Sequence, residues 1–140
     1  MPRPASALIV DDDPHVIVLF RALMNQLGVN TTWEATNGSA ALDKVDSQRP
    51  EVVLLDINLP QIGGLEVLAR LKADHPRVPV IIISAQSTVK TFEQARELGA
   101  EGYILKHAPK SEVLQMLSDA LDRIAGAPAE KASGDGEKPT

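Results

Sequence analysis

The stretch from Val52 to Pro60, with the sequence VVLLDINLP, guides the interpretation of the whole chain. Val52 to Leu55 are four consecutive apolar residues, and such a run is typical of a strand buried on both faces of a parallel sheet. Asp56 follows at the end of this strand, and Pro60 then forces the chain out of regular structure. Ligands of open α/β sheets bind outside the carboxyl ends of the strands. Asp56 is therefore either a functional carboxylate or the cap of the next turn.

The composition predicts one globular domain in an aqueous compartment. The chain has 140 residues, of which 44% are hydrophobic and 24% charged, and a net charge of -5. This balance offers no basic surface for nucleic acid or anionic lipid. The absence of cysteine excludes disulfides, thiolate metal sites and cysteine nucleophiles. Without a signal peptide or an apolar run near the ~18 residues of a membrane span, we expect a cytoplasmic protein that binds neither membranes nor, by itself, nucleic acid.

Four further strands and five helices are predicted around this central strand. Short apolar or β-branched runs predict the strands Ala7 to Val10, Thr31 to Ala35, Val80 to Ile83 and Tyr103 to Leu105. Apolar residues at helical spacing predict helices over about 14–27, 88–98 and 110–125, a weak helix through Ala41, Leu42 and Val45, and a helix whose inner face carries Leu65, Leu68 and Leu71. Asp13 followed by Pro14 is a helix-start signal, and the fourth helix is expected to turn Phe92 and Ala95 inward. Strands that alternate with helices predict a doubly wound α/β fold with a five-stranded parallel sheet.

The domain is expected to span residues 5–125. Residues 126–140 contain Gly, Pro, Ala and charged residues without periodicity. This composition predicts a disordered tail or the start of a linker.

Polar residues follow four of the five predicted strands. Asp11 and Asp12 follow the first strand, Asp56 the third, Ser84 the fourth and Lys106 the fifth. These strand ends lie at one edge of a parallel sheet, so the side chains are expected to meet in one crevice. Clustered carboxylates repel one another unless a cation joins them, and oxygen ligands of this kind suit Mg²⁺. A hard cation, a lysine and a hydroxyl facing one aspartate would suit a phosphoryl group carried on that aspartate.

These motifs resemble the receiver domains of response regulators, the CheY-like superfamily. The resemblance covers about residues 5 to 125 and rests on LIVDDD at 8–13, LLDINLP at 54–60, IISA at 82–85 and GYILK at 102–106. It implies the strand order 2-1-3-4-5 of a flavodoxin-like sheet. It also implies a two-component signalling protein that accepts a phosphoryl group from a sensor histidine kinase or a histidine phosphotransfer protein. Such a protein is not a conventional enzyme, although it catalyses its own aspartyl phosphorylation and dephosphorylation.

The resemblance also implies a role for each site residue. Asp56 would be the phosphoacceptor, and Ser84 and Lys106 would hold the phosphoryl group. Mg²⁺ would be bound by Asp12, Asp56 and the backbone carbonyl of Asn58, with Asp11 acting largely through water. Tyr103 would be the switch aromatic that turns inward when Ser84 moves. The helix over 88–98, the fifth strand and the last helix would then change their surface for an output domain or protein, or for a phosphorylation-dependent dimer.

Some features leave alternatives open. The run Lys-His-Ala-Pro at 106–109 resembles the NarL/FixJ subgroup of receivers. A non-phosphorylated, receiver-like interaction module is one alternative for the function. A haloacid-dehalogenase-like phosphatase, in which the first aspartate of the Asp11-x-Asp13 pattern would be the nucleophile, is another.

Overall fold

A computed structural model describes residues 3–86 and 88–126 of the chain. Five strands alternate with five helices along these residues. The strands are β1 (Ser6–Val10), β2 (Thr31–Ala35), β3 (Val52–Asp56), β4 (Val80–Ser84) and β5 (Gly102–Leu105). The helices are α1 (Pro14–Gln26), α2 (Gly38–Gln48), α3 (Gly64–Asp74), α4 (Val89–Glu97) and α5 (Lys110–Gly126).

The strands form one parallel sheet in the order β2-β1-β3-β4-β5, as the resemblance implied. Alternate residues of each strand pack on opposite faces, because side chains along a strand point in alternating directions. Leu54 and Ile81 belong to the core beneath α1 and α5, whereas Leu55 and Ile82 belong to the core beneath α2, α3 and α4. All five residues of β3 are buried, which explains why its sequence reads as a continuous apolar run.

The predicted start of α1 is confirmed in detail. The Asp13 side chain accepts a hydrogen bond of 2.9 Å from the backbone N–H of His15, and Pro14 occupies the first helical position. Proline is well tolerated there because the first N–H groups of a helix have no intrahelical partner. This cap fixes the loop that carries Asp11 and Asp12 above the carboxyl end of β1.

One packing prediction is wrong. Ala95 of α4 is buried as expected, but Phe92 is 44% exposed. The Phe92 ring instead lies edge-on against Tyr103, with the ring centroids 5.6 Å apart. The helical pattern placed both residues on one broad face, and it did not indicate that only the Ala95 side of this face reaches the sheet.

Two other predictions concern the ends and the setting of the chain. The predicted tail over 126–140 lies outside the described residues, except for Gly126, which ends α5. Within residues 3–86 and 88–126, the longest helices are too short or too polar to cross a bilayer.

Candidate functional site

The parallel register brings the predicted site residues to one edge of the sheet. Val10 of β1 pairs with Leu55 of β3. The next residues along the two strands, Asp11 and Asp56, therefore lie side by side. Ser84 pairs with Leu105, and the backbone N–H of Lys106 donates to the carbonyl of Ser84 at 2.9 Å. Asp11, Asp56 and Ser84 are buried, although residues of these types usually lie at the surface. Buried polar groups at adjacent strand ends indicate a site built for chemistry.

Lys106 lies between the two buried carboxylates. Its Nζ donates a 2.8 Å hydrogen bond to Oδ2 of Asp11, and it lies 3.2 Å from Oδ2 of Asp56. The second contact has the distance of an ion pair, but Asp56 Oδ2 has no hydrogen-bond partner among the described residues. The contact is therefore an attraction between charges rather than a directed hydrogen bond.

The two buried aspartates differ in how their oxygens are satisfied. Both oxygens of Asp11 accept hydrogen bonds, Oδ1 from the backbone N–H of Asp13 and Oδ2 from Lys106. In Asp56, Oδ1 accepts from the backbone N–H of Asn58 at 3.1 Å, and Oδ2 is the buried oxygen without a hydrogen bond. A buried oxygen left without a hydrogen bond is costly and rare, so it points to a ligand or a reaction at that atom. Of these two carboxylates, only that of Asp56 keeps an oxygen without a hydrogen-bond partner among the described residues.

Burial and mutual contact set the charges of Asp11 and Lys106. Burial raises the pKa of the Asp11 carboxyl, although the hydrogen bond from Lys106 opposes the change. Burial also works against the charge on Lys106, but its hydrogen bond to Asp11 and the charge of Asp56 outweigh it and raise the pKa of the ammonium. Lys106 therefore stays positively charged at neutral pH and is a fixed cation in the site.

Asp11, Asp12 and Asp56 form a group that can hold a metal ion. One carboxylate oxygen of each lies within 4.8 Å of the others. Asp12 is exposed while Asp11 and Asp56 are buried, so the group opens to solvent on one side. Three carboxylates and one lysine leave an excess of negative charge that a divalent cation would balance. All the side-chain ligands are oxygens, which favours a hard ion.

Ser84 connects the site to the surface through the backbone of Gln86. The Oγ of Ser84 accepts a 3.0 Å hydrogen bond from the N–H of Gln86, and the hydroxyl of Tyr103 donates to the carbonyl of Gln86 at 3.1 Å. One residue of the β4–α4 loop therefore contacts both the buried serine and the half-buried tyrosine. This places the two predicted switch residues in one hydrogen-bonded chain.

Gly64 is a residue that the sequence reasoning did not assign to the site. An added Cβ on Gly64 would lie 2.2 Å from the backbone oxygen of Asp56 and 2.5 Å from Cα of Ile57. The N–H of Gly64 also donates to the carbonyl of Ile57 at 2.9 Å. Glycine permits this close approach of α3 to the end of β3. A Gly-Gly pair after a functional loop is the sequence signal that could have indicated it.

Comparison with known proteins identifies the family. The sequence model of the response regulator receiver domain family matches residues 7–118. The chain belongs to this family. Sporulation initiation phosphotransferase F of Bacillus subtilis is 35% identical over 116 residues, which cover 83% of this chain and 90% of that protein. A crystal structure of a DNA-binding response regulator of the LuxR family from Staphylococcus aureus has a TM-score of 0.73 and 27% identity, and covers 83% of this chain and 98% of that one.

Some relatives are longer than the matched region. The chain is 33% identical over 121 residues to the "Probable transcriptional regulatory protein TcrX" of Mycobacterium tuberculosis. The aligned region covers 86% of this chain and 51% of that protein. The chain thus spans about half the length of that relative. The family match and the relatives support a two-component response regulator.

Family membership and geometry both argue against the phosphatase alternative. That alternative requires Asp11 as the nucleophile, whereas both oxygens of Asp11 are already engaged by Asp13 and Lys106. The match to the receiver family covers both the aspartate loop and Asp56.

Proposed function

We propose that the protein is a phosphorylation-dependent switch whose phosphoacceptor is Asp56. The observation that carries this proposal is Oδ2 of Asp56, a buried carboxylate oxygen without a hydrogen bond, 3.2 Å from the ammonium of Lys106. A phosphohistidine of a sensor kinase or of a phosphotransfer protein is the proposed donor. Oδ2 forms a bond to phosphorus while the P–N bond of the donor breaks, and the imidazole keeps the electron pair and takes up a proton.

The side chains around Asp56 supply the remaining functions. Lys106, whose Nζ is 3.2 Å from Oδ2 of Asp56, would stabilise the phosphoryl oxygens with its charge, and the hydroxyl of Ser84 would donate a hydrogen bond to one of them. Asp11 holds Lys106 in place through its 2.8 Å hydrogen bond.

Asp12, Asp56 and the backbone carbonyl of Asn58 are proposed to bind Mg²⁺, with Asp11 acting largely through water. The cluster of three carboxylates and the oxygen of Asp56 without a hydrogen bond fit such an ion. When bound, Mg²⁺ would neutralise negative charge on the phosphoryl group.

The output is proposed to pass through Ser84 and Tyr103. A phosphoryl group on Asp56 would draw the Ser84 hydroxyl toward it. Ser84 is linked to Tyr103 through the backbone of Gln86, whose N–H donates to Ser84 and whose carbonyl accepts from Tyr103. The affected surface comprises α4, β5 and α5, where an output domain or protein would bind. The cytoplasmic location stays a prediction.

The test is incubation of the purified protein with acetyl phosphate and Mg²⁺, followed by intact mass measurement. We expect one phosphoryl adduct, which disappears in Asp56→Asn and when EDTA removes the metal. Asp13→Asn is the matched control, because it removes a neighbouring carboxylate while asparagine caps the helix equally well. An adduct that persists in Asp56→Asn would reject Asp56 as the acceptor. If the protein without substitutions shows neither an adduct nor Mg²⁺ binding, the result would favour the non-phosphorylated, receiver-like interaction module.

A further inference from the structure

A groove lies between α4, β5 and α5, and we call it the α4–α5 groove. It contains two cavities of about 210 Å³ and 240 Å³, which share Phe92 and Tyr103 as lining residues. The first cavity is also lined by Arg96 and Arg123, and the second by Val89 and Leu105. The groove therefore has a cationic part and an apolar part on either side of one aromatic pair.

The cationic part carries two arginines that lack acidic partners. Within residues 3–86 and 88–126, no carboxylate oxygen lies within 4.0 Å of a guanidinium nitrogen of Arg96 or Arg123. Arg123 donates to the backbone carbonyl of Glu101 at 3.3 Å, and the guanidinium carbon of Arg96 lies 6.0 Å from the centroid of the Phe92 ring. These contacts orient both cations but leave their charges unneutralised.

Three acidic side chains beside the groove contact other residues, and one of them, Glu101, lines the first cavity. The carboxylate of Glu101 accepts hydrogen bonds from Lys72 at 2.7 Å and from the backbone N–H of Val80 at 2.8 Å. On α5, Asp122 pairs with Arg3 at 2.8 Å, and Asp119 accepts from Gln115 at 2.9 Å. Among the described residues, the first cavity thus holds two arginines without an acidic partner within 4.0 Å and one carboxylate that is already paired.

The apolar part is open to solvent. Val89 is 70% exposed and Phe92 is 44% exposed, and both line the 240 Å³ cavity. Large apolar side chains that lie next to each other at the surface mark interaction sites more often than isolated ones do. Adjacent apolar and cationic surfaces favour a partner that presents apolar and acidic side chains close together.

We propose that the α4–α5 groove binds an acidic segment of a partner protein. A carboxylate of this segment pairs with Arg96 and Arg123, and a neighbouring apolar side chain enters the cavity beside Val89 and Leu105. Charge complementarity carries the choice of occupant, because the two guanidinium groups offer charge-assisted hydrogen bonds to carboxylates. This inference deepens the proposed output surface and rests on it, since it names the chemistry of the partner.

Tyr103 makes this binding sensitive to the phosphorylation site. Its ring lines both cavities, and its hydroxyl is bound to Gln86, which also contacts Ser84. Any displacement of Tyr103 changes the shape of both cavities at once. We expect phosphorylation of Asp56 to change the affinity for an acidic segment by about tenfold, within the usual range of coupling between two sites.

The experiment uses the only tyrosine of the chain as a reporter. Full-length protein labelled with 3-fluorotyrosine gives one ¹⁹F resonance, from Tyr103. It is titrated with a short acetylated peptide of alternating Glu and Leu, and separately with the charge-reversed peptide of alternating Lys and Leu. We expect a saturable shift with the acidic peptide, and little response to the basic one. Equal binding of both peptides would overturn the proposal, because it would indicate apolar association without charge recognition.

Two double variants locate the binding. Arg96→Glu/Arg123→Glu is expected to weaken the binding of the acidic peptide by about tenfold, which is the equivalent of one charge-assisted hydrogen bond. Arg70→Glu/Arg77→Glu makes the same change of charge at exposed positions outside the groove, and it should weaken binding by about twofold or less, since surface charges act weakly at a distance. Equal losses in the two variants would overturn the assignment to the groove. Intact mass after acetyl phosphate treatment tests the proposed function separately. The Arg96 and Arg123 variant should still be phosphorylated on Asp56, so a failure of peptide binding can be distinguished from a failure of phosphorylation.

Other occupants give distinct results. A full-length variant with Glu130→Gln, Asp135→Asn and Glu137→Gln tests residues 127–140 of the same chain. If these substitutions shift the ¹⁹F resonance of Tyr103 and strengthen the binding of the acidic peptide, residues 127–140 of the same chain occupy the groove. The partner proposal is then wrong. If sedimentation shows a dimer that the Arg96 and Arg123 variant abolishes, the occupant is a second copy, and the proposal is wrong as well.

Discussion

Helices α1 and α4 both follow strands that end at the site, yet they are anchored very differently. Helix α1 buries Val16, Ile17, Phe20, Leu23 and Met24, whereas the nine residues of α4 bury Ala95 alone. The aspartate loop before α1 therefore stands on a rigid support. Helix α4 follows the buried Ser84 but has few apolar contacts, and such segments move at low free-energy cost. We expect the Ser84 side of the site to move more readily than the aspartate side when Asp56 is modified.

The two phenylalanines of the chain provide the largest test of this contrast. Phe20 in α1 is fully buried, so Phe20→Ala should lower the free energy of unfolding by about 3–5 kcal/mol. Phe92 in α4 is 44% exposed, and Phe92→Ala should cost about 1 kcal/mol or less. Urea unfolding followed by the fluorescence of Trp33 measures both. Similar losses in the two variants would show that α4 is anchored as firmly as α1.

A second test concerns the fixed end of the site at the junction of β3 and α3. Gly64→Ala should lower the free energy of unfolding by about 1–3 kcal/mol and slow the phosphorylation of Asp56, because the new Cβ displaces the Asp56 carbonyl. Gly63→Ala is the matched control. A Cβ on Gly63 would meet no atom within 4 Å, and its φ of -66° suits alanine. Urea unfolding and intact mass after timed acetyl phosphate treatment compare the two variants, and equal behaviour would remove Gly64 from the account.

Much of the fold was predictable because its signals are local. The apolar run at Val52 predicted the buried central strand, and Asp13-Pro14 predicted the start of α1. The grouping of Asp11, Asp56, Ser84 and Lys106 followed from strand ends that share one edge of a parallel sheet.

The remaining features depend on side-chain geometry that periodicity does not encode. The sequence could not indicate that Lys106 donates to Asp11 while Asp56 Oδ2 lacks a hydrogen bond. It also misplaced Phe92, because a helical stripe gives the direction of a side chain but not the depth to which the helix packs. The close approach of Gly64 to Asp56 likewise depends on how α3 meets β3.

Hydrogen–deuterium exchange of the phosphorylated and unphosphorylated protein tests whether α4 responds to the phosphorylation of Asp56 while α1 does not. Before phosphorylation, the amides of α4 should exchange faster than those of α1, because α4 buries far less apolar surface. With acetyl phosphate and Mg²⁺, we expect the exchange of α4 and β5 to change by about tenfold, the exchange of α1 to stay the same, and Asp56→Asn to show no response. A change centred on α1, or one spread evenly over the sheet and all helices, would show that α4 is not the responsive element.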